Sequence, residues 1–387
     1  MTQDLTSSTS VSRQMARLAM FAAIVLTIGA VMAPERAWSN LLIVGFYLTT
    51  VGLGGVLFIA LNNITGASWH IAFRRIPEAI SALLVPCGLG LLAVLAWRSE
   101  QYGWHHHGEG DAGTFWFKEL WTTPSFWMIR AAVYVSLWIV LSRAMVGISR
   151  RQDKTGGVKL TLLNKRLSAV FLLVYAITFS LASCDWLMLL EPMWFSTVWG
   201  VYNFAGMLQA TLATIIITGL MLRKRGPLRN VFTDEHLHDL GKLLIGFSCF
   251  WMYIWYSQYM LIWYTNIPEE TSYFIPREQG AWGPLMVMNI ILNWIVPFFI
   301  LLPKPNKRNA SIMMRISCVV LIGRWLDLYL MVFPSTIGGE PVFGLLELAG
   351  VILVIGLFGS LFFRSFSKAA PVPTGDPLLT ESLHYHC

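Results

Sequence analysis

Ser183-Cys184-Asp185-Trp186-Leu187-Met188-Leu189-Leu190-Glu191-Pro192-Met193-Trp194-Phe195 sets an aspartate inside an apolar run that begins near Leu167, then stops that run with a Glu-Pro pair. An ionisable group at such depth is costly in hydrocarbon, so it is turned inward and used. A second stretch repeats the arrangement, Gly323-Arg324-Trp325-Leu326-Asp327-Leu328-Tyr329-Leu330-Met331-Val332-Phe333-Pro334. In both, the proline follows the aspartate by seven residues. Two buried carboxylates at matching positions predict a duplicated helical bundle with a polar interior.

Hydrophobic residues make up 56% of the 387 and charged residues only 13%, and the mean hydropathy is +0.59. A soluble domain of this length has too little interior to bury so much apolar surface, so the chain is an integral membrane protein. The net charge of +7 and isoelectric point of about 9.2 do not indicate nucleic acid. The Lys and Arg residues cluster in short loops between apolar runs, where they carry topology information, and the surrounding partner is lipid. Cys87, Cys184, Cys249 and Cys318 lie singly in apolar segments and Cys387 is the last residue. There is no C-x-x-C or C-x-x-C-H, hence no sign of a zinc, iron–sulfur or covalent haem site in this chain. If the function is redox, its metal centres sit in other chains.

Residues 1–14 are Ser/Thr-rich and expected to fray. Arg13 and Arg17 precede a first apolar run from about Leu18 to Met32; no small-residue cleavage site follows, so it is expected to be a retained span and not a signal peptide. A second run from Leu41 to about Leu61 carries Gly45, Gly52, Gly54 and Gly55, which would let a neighbouring helix approach closely. The basic turn around Trp69, His70, Arg74 and Arg75 leads into a third span ending near Trp97. Further spans are expected over about 126–146, 167–190 and 198–222, from the turn at His236 and His238 to Tyr264, then over about 285–302, 312–332 and 343–363. Each approaches the roughly twenty residues needed to cross hydrocarbon. Loops before the odd-numbered spans are basic and the others neutral or acidic, which predicts about ten spans with both termini cytoplasmic. A Pro-rich tail from Ala370 to Cys387 is expected to extend into the cytoplasm.

Spans two to five and six to nine share a plan. Each set has a His-bearing polar turn between its first and second helices, a Trp-rich loop ending in Pro124 or Pro284 before the third, and an Asp-to-Pro stretch closing the fourth. This predicts an all-α membrane protein with two four-helix bundles in parallel repeat, one at 40–197 and one at 198–335. Flanking helices at 15–39 and 336–366 and a tail at 367–387 complete it.

Seven residues of helix place each aspartate on the order of 10 Å from its proline, in the outer half of the membrane. Arg324 and Asp327 are three apart and can pair on one face, so Asp327 is either a salt-bridged structural residue or a proton carrier. Asp185 has no local cation, which favours a functional role over a hydrogen bond to a neighbouring helix. Tyr202, Asn203 and Gln209 on one span, and Tyr256, Gln258 and further tyrosines on the next, are the kind of hydroxyls and amides that a proton path ending at a carboxylate requires. Interfacial aromatic belts account for most such Tyr and Trp residues without any path. His236 and His238 are a candidate cytoplasmic proton entry, with a simple loop turn as the plainer explanation. The run His105, His106, His107 lacks spaced acidic or Cys partners, and no metal site is expected there.

Asp185 to Pro192, then Trp194-Phe195-Ser196-Thr197 and Gly200-Val201-Tyr202, together with Ser257-Gln258-Tyr259 and Trp263-Tyr264-Thr265-Asn266-Ile267-Pro268-Glu269-Glu270-Thr271, resemble the ActF-type subunits of bacterial alternative complex III. These belong to the NrfD/PsrC-like integral membrane proteins. The resemblance covers nearly the whole chain and implies two four-helix bundles with two flanking helices in the bacterial plasma membrane. It further implies a quinol:electron-acceptor oxidoreductase of a respiratory or photosynthetic chain, passing electrons from a quinol such as menaquinol to cytochrome c or a copper protein. Haem c and iron–sulfur clusters are then expected in partner subunits. The implied partners are an ActC-like membrane homologue, an iron–sulfur subunit, a multihaem cytochrome c subunit and small membrane subunits. The ActC-like homologue carries the quinol site, and the ActF type conducts protons. Asp185 and Glu191 match the family's Asp…Glu-Pro string, and Asp327 occupies the matching place in the repeat. The proton-path candidates are therefore Asp185, Glu191, Asp327, Arg324, Tyr202, Tyr256, Gln258, His236 and His238. A quinol-proximal site, if present, would use Asp185, Trp186 and Trp194.

Two other classes compete. A secondary transporter would also have a pseudo-symmetric bundle with intramembrane acids, but with helices interrupted near the midplane, whereas the Gly and Pro breaks here fall mostly at span ends. A purely architectural subunit would tolerate neutral residues at Asp185 and Glu191.

Overall fold

The computed structural model describes residues 2–102, 120–191 and 194–385. His105, His106, His107 and Pro192 lie outside the described residues. All regular structure among the described residues is helical, as expected where no water is present to satisfy an open sheet edge. Nine segments among them are long and apolar enough to cross a membrane. The main helices are α1 (Thr2–Met32), α2 (Pro34–Thr65), α3 (Arg75–Ile80), α4 (Leu84–Trp97), α5 (Pro124–Thr155), α6 (Val158–Trp186), α7 (Trp199–Arg225) and α8 (Asp234–Thr265). They continue with α9 (Trp282–Ile290), a π-turn (Ile291–Ile295), α10 (Val296–Leu301), α11 (Ala310–Thr336) and α12 (Leu345–Phe366).

Helix boundaries follow local chemistry. Pro34 and Pro124 open α2 and α5, where a missing N–H costs nothing. Thr233 and Asn309 cap α8 and α11 with side-chain oxygens. Gly66, at φ +69°, closes α2 in the left-handed conformation that glycine adopts freely. The third predicted span is broken. Two 3₁₀ turns flank α3, and Pro77 and Pro86 each sit in the first turn of a new helical piece.

α2 and α7 form the centre: 94% and 89% of their most apolar windows are buried, against 22% for α1. The α2 glycines work as expected. Side chains at Gly45 and Gly52 would run into α4 and the turn before it, and one at Gly55 would meet the Pro77 carbonyl of α3. Gly54 lies against Thr211 of α7, bringing the two central helices together. Around this pair, α4 and α6 pack on α2, with α5 on α4 and α6. On the other side α8 and α11 pack on α7, with the π-turn against both, α9 against α11 and α10 against α8. α1 runs along α12.

Two expectations change. α8 is a 32-residue helix but is not among the nine apolar segments; its Trp251, Tyr253, Trp255, Tyr256, Tyr259, Trp263 and Tyr264 lower its hydropathy. The C-terminal tail does not extend away. It folds back over the end of the bundle that carries the basic loops. Asp376 pairs with Arg74 at 2.5 Å, and the Ser382 hydroxyl accepts from the Ala72 N–H and donates to the Trp69 carbonyl, both at 2.9 Å. The Tyr385 hydroxyl donates to Asp239 at 2.6 Å.

Candidate functional site

Two buried carboxylate centres occupy the two halves of the bundle. Asp185, 1% exposed, sits in the last turn of α6. Its Oδ1 accepts from the Trp121 indole and Arg130 Nη2, both at 3.0 Å, and its Oδ2 from Arg130 Nε at 3.2 Å and the Tyr134 hydroxyl at 3.3 Å. Asp185 has no cation nearby in sequence, yet the fold supplies one. The cation comes from α5, fifty-five residues earlier in sequence, a distance at which spacing along one helix carries no information.

Asp327, also 1% exposed, sits in α11 with the same donor classes drawn from different helices. Tyr202 of α7 and Arg324 of its own helix bond it closely, the Asn289 amide of α9 donates at 3.1 Å and the Trp251 indole of α8 at 3.4 Å. Arg324 also donates to Asn203 at 3.0 Å. The sequence pairing of Arg324 with Asp327 holds, and Gly206 of α7 leaves the room that the guanidinium occupies.

Asp327 differs from Asp185 in what it connects to. Towards the basic end, Asn293 donates to the Asn289 side-chain oxygen at 2.7 Å, and Gln209 donates to the Asn293 carbonyl at 2.6 Å and to Ser248 at 2.9 Å. This carbonyl is free because Pro297 has no N–H to return to it and the helix widens into the π-turn there. Towards the other end, Asp327 lines a cavity of about 20 Å³ together with Tyr202, Tyr273, Arg277 and Asn289, room for a single water among polar partners. Arg277, 3% exposed, lies over the Tyr273 ring and reaches Glu191 at 3.3 Å. Glu191 accepts from Ser335 at 2.7 Å and keeps 27% of its side chain exposed. The result is a continuous polar column: Ser248, Gln209, Asn293, Asn289, Asp327, the cavity, Arg277 and Glu191.

The remaining candidates divide. Tyr256 is 51% exposed on the outer face of α8 and points away from the column, as do Tyr253 and Tyr264. Gln258 is buried, with its amide nitrogen unpaired among the described residues. His236 and His238 are buried at the start of α8, where His236 Nδ1 accepts from the Thr233 N–H at 3.1 Å and the ring stacks on Phe232. Ten residues of helix separate His238 from Ser248, on the order of 15 Å, and no bonded side chain bridges that interval among the described residues. Trp186 packs against Trp138 at 5.7 Å, while Trp194 stacks on Tyr273 at 4.2 Å and donates to the Glu270 carbonyl at 3.0 Å. The proposed trio of Asp185, Trp186 and Trp194 therefore forms no shared pocket among the described cavities.

Sequence reasoning did not single out Arg130 as a partner, nor Asn289, Asn293, Trp251 or Arg277. Asn289 and Asn293, four apart in an apolar run with Pro297 beyond them, were a legible signal. Glu347 of α12 is held by Arg36 and by the Asn40 amide at 3.0 Å, which ties α12 to α2. Outside the spans, burial and the Arg74 cation push the His70 imidazole down to about 3. No protein-family model matches the chain, and no curated protein matches it either.

Proposed function

We propose that this chain is a membrane subunit of a quinol:electron-acceptor oxidoreductase, of the ActF type in bacterial alternative complex III, carrying a proton path through its second bundle and no redox centre of its own. The reading counts α8 as a tenth span, long enough at 32 residues. It groups α2 to α6 and α7 to α11 as two four-helix bundles flanked by α1 and α12, and assigns the basic end to the cytoplasm. Haem c and iron–sulfur clusters then belong to partner chains, and quinol chemistry to a homologous membrane subunit.

The polar column around Asp327 carries this proposal. A proton moving through low dielectric needs a carboxylate that can load and unload, with water or hydroxyls next to it. Asp327 is bonded by the Tyr202 hydroxyl, and both line a water-sized cavity. Loading brings a proton from the basic end to Asp327, the amides holding the geometry of the path while the bonded Tyr202 hydroxyl passes its own proton on and takes up another. Unloading passes the proton through the cavity towards Glu191, which Arg277 holds at 3.3 Å. The test is Asp327→Asn in the intact complex. Proton release is expected to fall while quinol oxidation with an artificial acceptor continues; unchanged proton release would end the proposal.

One observation favours a second reading. The π-turn and Pro297 interrupt a span beside the buried Asp327, as in secondary transporters. Those breaks occupy corresponding helices of the two halves, however, and here they fall in the second helix of one half and the third of the other. Solute movement by the purified chain alone in liposomes would restore the transporter reading.

A further inference from the structure

At the basic end, the last turns of α7 and the first turns of α11 enclose a groove of about 900 Å³. Arg223, Lys224, Arg229 and Arg315 line it, with Leu220, Ala310 and Met314 as apolar wall and Asn230 and Ser311 as neutral donors. Of the cations, Arg223 is already bound by Asp234 at 2.5 Å. Lys224, Arg229 and Arg315 have no acidic partner among the described residues, whereas Arg308 on the neighbouring turn is held by Glu235 at 2.6 Å. Arg315 lies five residues into α11, about 8 Å along the helix, within a segment apolar enough to be a membrane span. A guanidinium at that depth needs an anion or a way out to water. The first amides of α11 are not available to an anion, since Asn309 Oδ1 accepts from Ser311 and Ile312 at 3.0 and 3.2 Å. Binding therefore falls to the side chains.

We infer that this groove is a binding site for one anionic phospholipid, its phosphate held by Arg315, Arg229 and Lys224 and an acyl chain lying along Leu220 and Met314. Basic pockets between helix ends at the cytoplasmic boundary recognise such headgroups. The groove combines unpaired cations, neutral donors and an apolar wall at one membrane boundary, which fits a lipid better than a soluble anion. The inference rests on the chain spanning a membrane and is independent of the proton path.

The experiment uses the full chain in mild detergent and reads the shift in thermal unfolding on adding phosphatidylglycerol, phosphatidylcholine or inorganic phosphate. Phosphatidylglycerol alone is expected to raise the transition. In Arg229→Gln/Arg315→Gln, whose altered side chains are exposed, half-maximal stabilisation should need about 30-fold more lipid, two cations at their usual contribution near a membrane surface. Lys368→Gln, an exposed cation elsewhere at the basic end, should behave as wild type. An equal shift with phosphatidylcholine would show an ordinary annular lipid, and the same shift with inorganic phosphate a free-anion site. An undiminished response in the double variant would place the lipid elsewhere. Any of these three overturns the inference.

Discussion

Around Asp185 three side chains deliver four hydrogen bonds, as many as a carboxylate has lone-pair directions to accept them. Its bonds join α5, α6 and the segment at Trp121. Asp185→Ala leaves the Arg130 guanidinium buried and uncompensated, which costs about 3–5 kcal/mol. The expected outcome is a strongly lowered thermal transition in detergent. Asp185→Asn should leave proton release intact, in contrast to Asp327→Asn, because the proposed path runs through the second bundle. Equal effects of the two asparagine variants on proton release would contradict that division. His70 makes a separate prediction. Its imidazole titrates at about 3 when folded, against an ordinary value of 6.5. Below pH 6.5 the unfolded chain binds a proton that the folded chain refuses, so stability falls as the pH drops, by about 1.4 kcal/mol per unit. Thermal unfolding between pH 7 and 5 should show the slope, and His70→Gln should flatten it.

The segment Trp282–Leu301 is the element whose sequence and structure differ most. Composition makes it an ordinary span, but Pro297 withholds one N–H, the chain widens into the π-turn, and Gln209 from α7 supplies the missing donor. A backbone defect thus becomes part of the polar column. Gln209→Ala should cost about 1–3 kcal/mol, since it leaves a buried carbonyl unsatisfied, and should slow proton release by opening the column above Ser248. Measuring both in one preparation separates the column from simple packing: lost stability with normal proton release would remove Gln209 from the path. Gly206 acts at the same scale. Any side chain there displaces Arg324 from Asp327, so Gly206→Ala should be destabilising although it changes no polar group.

For the whole molecule, the tail matters most. Residues 367–385 return across the basic end and insert Asp376 into a buried ionic group that also contains Arg74, Arg75, Glu78 and Asp153. The tail thereby ties the 68–78 turn to the start of α8 through Ser382 and Tyr385. Asp376→Ala should release it and cost less than the roughly 3–5 kcal/mol of a fully stranded buried charge, because Glu78 remains beside Arg74 at 3.4 Å. Limited proteolysis is the direct measurement, with rapid cleavage after Ser367 expected in the variant and protection in the wild type.

Membrane class, the positions of most spans, the close approach at the α2 glycines and the burial of Asp185 and Asp327 were all legible in the sequence. Each depends on local quantities: apolar run length, a missing Cβ, a charge within a run. The Arg324–Asp327 pair was legible for the same reason, since both lie on one helix face. Arg130 with Asp185, Arg277 with Glu191, Arg36 with Glu347 and Asp376 with Arg74 were not, because each joins helices or loops far apart in the chain. Only packing decides which of many distant cations meets a given carboxylate. The burial of the tail and the cavity beside Asp327 belong to the same class, as volumes and contacts that exist only once the helices are side by side.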